Sequence, residues 1–149
     1  MIKKIILSLL IVVLAGCGYQ PIYLKGANNL EIQKYELLGN KNINRKIISL
    51  LNFKQDTKNN SGYILTINSI KELQTASKDT TGKTSTFKTS ITVSIKLNKN
   101  DSLIKEKSFN SSFTYNNAGS KFDLLQYQKN IENNLVNKIY EEILIFLNT

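Results

Sequence analysis

The chain contains no histidine and no tryptophan, and only one cysteine, one proline and one methionine. Histidine is the usual general base near neutral pH and the commonest metal ligand, so its absence weakens most hydrolase and metalloenzyme readings. A single cysteine excludes an intramolecular disulfide and any cysteine-rich zinc site. Acid is also scarce, with 11 Asp+Glu against 20 Lys+Arg, a net charge of +9. A carboxylate or Ser/Lys enzyme stays formally open. Yet Ser69 with Lys71, and Ser77 with Lys78, are only adjacent polar residues, and no spacing singles them out. The expectation is a protein that is not an enzyme and needs no metal or cofactor. What is present suits one globular domain: 149 residues, 41% hydrophobic and 21% charged.

The first residues read as an export signal. Lys3 and Lys4 form a positive start, and Ile5 to Leu14 is an apolar run interrupted only by Ser8. That run fits the core of a signal peptide and is short for a membrane span. Leu14-Ala15-Gly16-Cys17 resembles the bacterial lipobox, in which the cysteine thiol receives diacylglycerol and the chain is cut just before it. The sole cysteine thus stands where that chemistry needs one. The alternative is an ordinary signal peptide or a short apolar anchor carrying a cysteine by chance. On the lipobox reading, residues 1–16 are a cleaved lipoprotein signal peptide and residues 17–29 a lipidated tether. Residues 30–149 are then a single periplasmic domain. Loss of Lys3 and Lys4 would lower the charge to +7. Each buried acyl CH₂ contributes about 0.8 kcal/mol, so a multiply acylated terminus is a stable anchor. Gly18 follows the cysteine where inner-membrane lipoproteins tend to carry Asp. By analogy this favours the outer membrane, periplasmic side.

Along the remaining chain, residues 30–37 form a plausible first strand with partial alternation. Leu30, Ile32 and Lys34 fall on one face, and Tyr35 and Leu37 on the other. Ile43, Ile47, Ile48, Leu50 and Leu51 recur at helical spacing, predicting a short helix over 42–53 with Asn40 or Asn42 as N-cap. Residues 54–62 read as a loop. Tyr63, Leu65 and Ile67 alternate, but Ile70 and Leu73 fall out of step, which predicts a bulge near Ser69. Residues 75–83 read as a hairpin tip. Phe87, Ile91, Val93, Ile95 and Leu97 then share one parity against polar neighbours, the clearest half-buried strand in the chain. After a turn at 99–101, Leu103, Phe109, Phe113 and Tyr115 share a parity in a fourth strand. Ser120 and Asp123 resemble a capping box opening a long helix over 122–147. Leu124, Ile131, Leu135, Ile139, Ile143 and Phe146 make its stripe, and Asn130, Asn133, Asn134 and Glu141 face away. The expected fold is α+β. It is a two-layer sandwich, a four-stranded mostly antiparallel sheet with two helices on one face, in the order β-α-β-β-β-α. The first helix could carry strand one to a parallel partner.

Cys17-Gly18-Tyr19-Gln20-Pro21-Ile22-Tyr23 resembles the mature start of the lipopolysaccharide-assembly lipoprotein family, LptE, especially its alphaproteobacterial branch. Asn44-Arg45 with Leu50 and Leu51, Gly62-Tyr63 to Ile67, and Phe109 to Tyr115 followed by Ser120-Lys121-Phe122 extend the likeness. The element order agrees over nearly all of the mature chain. The resemblance implies a plug and assembly partner inside the lumen of the LptD outer-membrane β-barrel. Such a plug would assist lipopolysaccharide transport without changing any bond. It also implies basic residues near the central hairpin and near the start of the last helix. Here these are Lys78 and Lys83, flanking Thr80 and Thr81, and Lys121. All three can equally be ordinary solvated lysines. Phe113, Tyr115 and Tyr127 read as core or interface packing.

Other readings compete. A different outer-membrane lipoprotein adaptor, for barrel assembly or envelope structure, shares the lipobox and the α+β build. It leaves the opening motif unexplained. Nucleic acid is not expected as a partner, because a basic balance alone is weak evidence and export would separate the two.

Overall fold

A computed structural model describes residues 30–56 and 62–148. The signal peptide, Cys17 and the tether expected over 17–29 lie outside the described residues. The elements run β1 (Ile32–Gly39), α1 (Lys41–Leu51), β2 (Tyr63–Lys78), β3 (Thr84–Lys99), β4 (Ser102–Asn116) and α2 (Lys121–Asn148). The four strands form one sheet in sequence order. β1 pairs parallel with β2, and the β2–β3 and β3–β4 pairs are antiparallel. Both helices pack on one face of the sheet, α1 over β1 and β2 and α2 over β3 and β4. The expected α+β sandwich is the observed fold.

β3 shows why. Its odd-numbered residues from Ile91 to Leu97 are buried at 2% exposure or less, and its even-numbered residues look outward. Leu65 and Ile67 on one side and Phe109 on the other complete the floor. Ile43, Ile47 and Leu51 of α1, and Ile131, Leu135, Val136, Ile139 and Ile143 of α2, form the roof. Leu124 and Phe146, assigned to the α2 stripe, are only partly buried, while Val136, Leu144 and Leu147 join it. Asn133 does not face away: its side-chain oxygen accepts from Lys46 Nζ of α1 at 2.7 Å.

Strand β1 corrects its expected faces. A register shift between Ile32 and Lys34 sets Ile32 opposite Tyr63 and Tyr35 opposite Leu65. Ile32, Tyr35 and Leu37 therefore share the helix-side face, because the extra residue reverses the parity. No bulge occurs at Ser69. The β2–β3 register is continuous from Ile64 to Thr75, and the irregularities come at Thr75/Ser77 and Ser77/Lys78. Ile70 points away from the helices and stays half exposed, while Leu73 keeps the helix-side parity and is also half exposed. Both strands run longer than expected, so the tip shrinks from 75–83 to 79–83. Leu103 likewise leaves the β4 core row; its inner positions there are Lys105 and Lys107.

The helix ends are fixed locally. Asn40, not Asn42, caps α1: its side-chain oxygen accepts from Asn42 N at 3.1 Å and Ile43 N at 3.2 Å. Gly39 before it has φ +77, and an added Cβ would lie 2.1 Å from Ser69 O. Ser120 Oγ accepts from Asp123 N at 3.4 Å at the start of α2.

Candidate functional site

The hairpin tip is built around one carboxylate. Asp79 Oδ1 accepts from Thr81 N at 2.8 Å, Thr81 Oγ1 at 2.7 Å and Lys83 N at 3.0 Å. Asp79 N donates to Lys83 O at 2.8 Å and Gly82 N to Asp79 O at 3.0 Å. Gly82 supplies the left-handed backbone at φ +83 that this turn requires. The Thr81 hydroxyl is the main cause holding the Asp79 carboxyl below its ordinary pKa, with the backbone N–H groups of Lys83, Thr81 and Gly82 adding to it. A tight, internally bonded turn thus presents Lys78 and Lys83, both exposed, on either side of Thr80 and Thr81.

Lys121 is the first residue of α2 and lies at the same end of the sheet. Asn117, just before it, clasps the edge of the hairpin: its N–H donates to Ser85 O at 2.8 Å and its side chain to Thr84 O at 2.9 Å. Lys78 and Lys83 are therefore brought together by one turn, and Lys121 shares their end of the molecule. Among the described residues none of the three forms an ion pair; Lys34, Lys71 and Lys96 do, with Glu36, Glu132 and Glu106. Lys88 was missed by the sequence reading. It stands on the open face of β3 opposite Gln74 and Thr114, adding a fourth cation at this end. Its even parity in a clearly alternating strand was the available signal.

The face of the sheet away from the helices is open, and its middle is uncharged, between Glu72 and Lys88 at one end and Lys96 with Glu106 at the other. Thr66, Asn68, Ser90, Thr92, Ser94, Ser108, Asn110, Ser112 and Thr114 line it, with Ser94 Oγ bonded to Ser108 Oγ at 3.1 Å and Asn110 Nδ2 to Thr92 Oγ1 at 2.8 Å. The opposite face has a groove of about 230 Å³ beside α2, lined by Phe113, Tyr127, Asn130, Ile131, Asn134 and Leu135. Phe113 is 47% exposed, so it is groove wall rather than core, whereas Tyr115 is buried and its hydroxyl lies 3.1 Å from Thr89 Oγ1. Tyr127 meets the Tyr115 ring edge-on at 5.6 Å.

The serine–lysine neighbours have other commitments. Ser69 is buried, and its hydroxyl lies 2.6 Å from Asn44 Oδ1 and 3.1 Å from Asn40 O. Lys71 pairs with Glu132. Ser77 Oγ lies 2.6 Å from both Ser85 Oγ and Thr86 Oγ1. Among the described residues, no group of three acidic, Cys or His side chains could hold a metal ion. No helix among them is long and apolar enough to cross a membrane.

No protein-family description matches the chain, and no curated protein matches it in sequence. Solved structures do match in shape. A minor lipoprotein from Acinetobacter baumannii is similar with a TM-score of 0.61 at 13% identity, over 76% of this chain and 87% of that one. An uncharacterized lipoprotein B from Nitrosomonas europaea is similar with a TM-score of 0.63 at 12% identity, over 88% of this chain and 90% of that one. A putative lipoprotein from Caulobacter crescentus gives 0.52 at 12% identity, over 76% and 85%. At such identities the likeness concerns the fold, and the fold is one that bacterial lipoproteins use.

Proposed function

We propose that the chain is an outer-membrane lipoprotein of the LptE kind. It is anchored through acylated Cys17 on the periplasmic side, seats in the lumen of the LptD β-barrel, and assists lipopolysaccharide passage without catalysis. The observation that carries this reading is the pairing of a lipobox-like Leu14-Ala15-Gly16-Cys17 with a fold that covers most of several solved bacterial lipoproteins. The open sheet face supports it, because the interior of a large outer-membrane barrel is polar and this face carries hydroxyls and amides. Lys78, Lys83 and Lys121 are the residues offered to lipid phosphates. Lysine suits point-charge contacts with phosphate, although it lacks the bidentate geometry of arginine.

Depletion tests the reading directly. Loss of the protein should lower surface lipopolysaccharide and the yield of correctly matured barrel; unchanged levels of both would remove the assigned role. Affinity capture separates this reading from an adaptor for other barrels. LptD should be the major envelope protein recovered, and recovery of other assembly factors in its place would favour the adaptor.

A further inference from the structure

β4 is an edge strand, and its two halves are defended differently. Edge strands offer unpaired N–H and C=O groups to any chain that can add to them, and inward-pointing lysine is a common deterrent. Lys105 and Lys107 take that role at one end of β4, on the helix-side face beside Phe146 and Phe109. From Ser108 to Asn116 there is no charge, no proline and no break in register with β3. This half borders the groove formed by Phe113, Tyr127, Ile131 and Leu135.

We propose that the edge of β4 from Ser108 to Asn116 pairs antiparallel with the same edge of a second copy of this chain, about a two-fold axis at Ser112. The sequence of the edge is complementary to itself. Same-face residues oppose one another in an antiparallel pair only when their numbers differ by an even count. Centring at Ser112 sets Phe113 opposite Ser111 of the second copy, a small residue that leaves the ring room to enter that copy's groove. Phe109 then opposes Tyr115, and on the open face Asn110 opposes Thr114, all uncharged. Lys107 falls opposite Asn117, beyond the strand end, so no lysine meets a lysine. A register centred on Glu106 would set Lys105 opposite Lys107, so the charge pattern disfavours a shift that far.

The helices agree with this arrangement. A two-fold axis perpendicular to the sheet keeps both α2 helices on one side. α2 lies over β3 and β4, and strands are spaced about 4.8 Å apart. Two such helices would therefore run roughly 10 Å apart, near the distance at which helices pack. Tyr127, Asn130 and Asn134, now exposed, would meet their counterparts across the axis. The interface is isologous and closes on itself, giving a dimer rather than a filament. This inference stands apart from the proposed role, and its test does not involve the barrel or lipopolysaccharide.

The test uses the full chain in detergent, with the unsubstituted chain, which retains Cys17, as baseline. Ser112→Cys should give a covalent dimer on mild oxidation, well above the baseline and above Leu38→Cys on the opposite sheet edge. Sedimentation of the unsubstituted chain should show a monomer–dimer equilibrium. Ser112→Lys would place two lysines face to face and should weaken association about fivefold at low salt, with recovery as salt rises. Circular dichroism checks that each variant keeps the fold. A monomer throughout the accessible concentration range overturns the proposal. Cross-linking of the Ser112→Cys variant no greater than baseline, or its preferential cross-linking to a different protein, overturns it as well.

Discussion

Asn44 and Ser69 form a buried hydrogen bond of 2.6 Å that ties α1 to β2, and the Asn44 amide also donates to Leu38 O of β1 at 2.7 Å. Asn44 is fully buried and Ser69 is 1% exposed. One amide thus joins three elements. Asn44→Ala removes the bonds to the Ser69 hydroxyl and to Leu38 O, leaves that hydroxyl with Asn40 O alone, and should destabilise the fold by about 2–3 kcal/mol. Ser69→Ala removes the smaller group and should cost about 1–2 kcal/mol. Urea midpoints of the two single variants and the double variant measure both effects. Because the residues touch, the double variant should cost less than the sum.

Gly39 and Gly82 share a left-handed backbone but not a neighbourhood. Around Gly82 there is open space, whereas a Cβ on Gly39 would strike Ser69 O. Gly82→Ala should cost about 1–2 kcal/mol from backbone strain alone. Gly39→Ala adds displacement of the β1–β2 contact and should cost about 3 kcal/mol or more. Equal losses in thermal stability would contradict this placement of Gly39.

Acid should weaken the fold through two exposed carboxylates. A hydrogen bond from Lys34 is the largest cause lowering the Glu36 pKa, followed by the charge of Lys34 and a hydrogen bond from Thr66; the Thr81 hydroxyl leads at Asp79. A lowered folded pKa means that unfolding binds protons. The contribution is therefore complete above the ordinary values of 4.5 and 3.8, and is lost as pH falls through the lower folded values. Urea midpoints should hold steady near neutrality and drop below about pH 4. Asp79→Asn should flatten part of that drop.

The C-terminal end of α2 is stabilised from outside. Its last turn carries no basic residue, yet Lys105 Nζ of β4 donates to Phe146 O at 3.3 Å. A cation there opposes the negative end of the helix dipole. Lys105→Met keeps the apolar stem and removes the charge. It should cost about 0.5–1 kcal/mol at low ionic strength, and the difference from the parent should narrow in high salt.

At the tip, Lys78→Glu with Lys83→Glu reverses the local charge without touching the side-chain bonds of Asp79. Binding to lipid A in mixed micelles should weaken about tenfold at low ionic strength, and the gap should close toward 1 M salt as screening shortens to about 3 Å. Lys121→Glu should add a smaller loss. Unaltered binding would discard the tip as a lipid site and leave the wider reading standing.

Much of this architecture is written in local periodicity. β3 alternates cleanly because every second residue meets the helices, and α1 carries a narrow apolar stripe. Reading failed where parity alone could not decide. In β1 an extra residue at 32–34 reverses the faces, and in β2 the apolar Ile70 and Leu73 suggested a bulge where the strand simply passes beyond its helical cover. Lysines at 78 and 83 were visible as flanks of a turn, but the Asp79 cage that shapes the turn depends on a hairpin register no composition reveals. Phe113 was read as core or interface packing; it shares the parity of buried Tyr115 yet stays 47% exposed at the groove beside α2, which parity alone could not decide.

The β2–β3 hairpin has a geometric corollary. The chain enters the sheet at Ile32, beside Tyr63, and β2 then runs 16 residues to Lys78. At about 3.3 Å per residue, Thr80 and Thr81 project roughly 50 Å from that entry point. A hydrocarbon bilayer core is only about 30 Å thick. A body held near Ile32 would therefore carry its hairpin tip farther from that point than the bilayer core is thick.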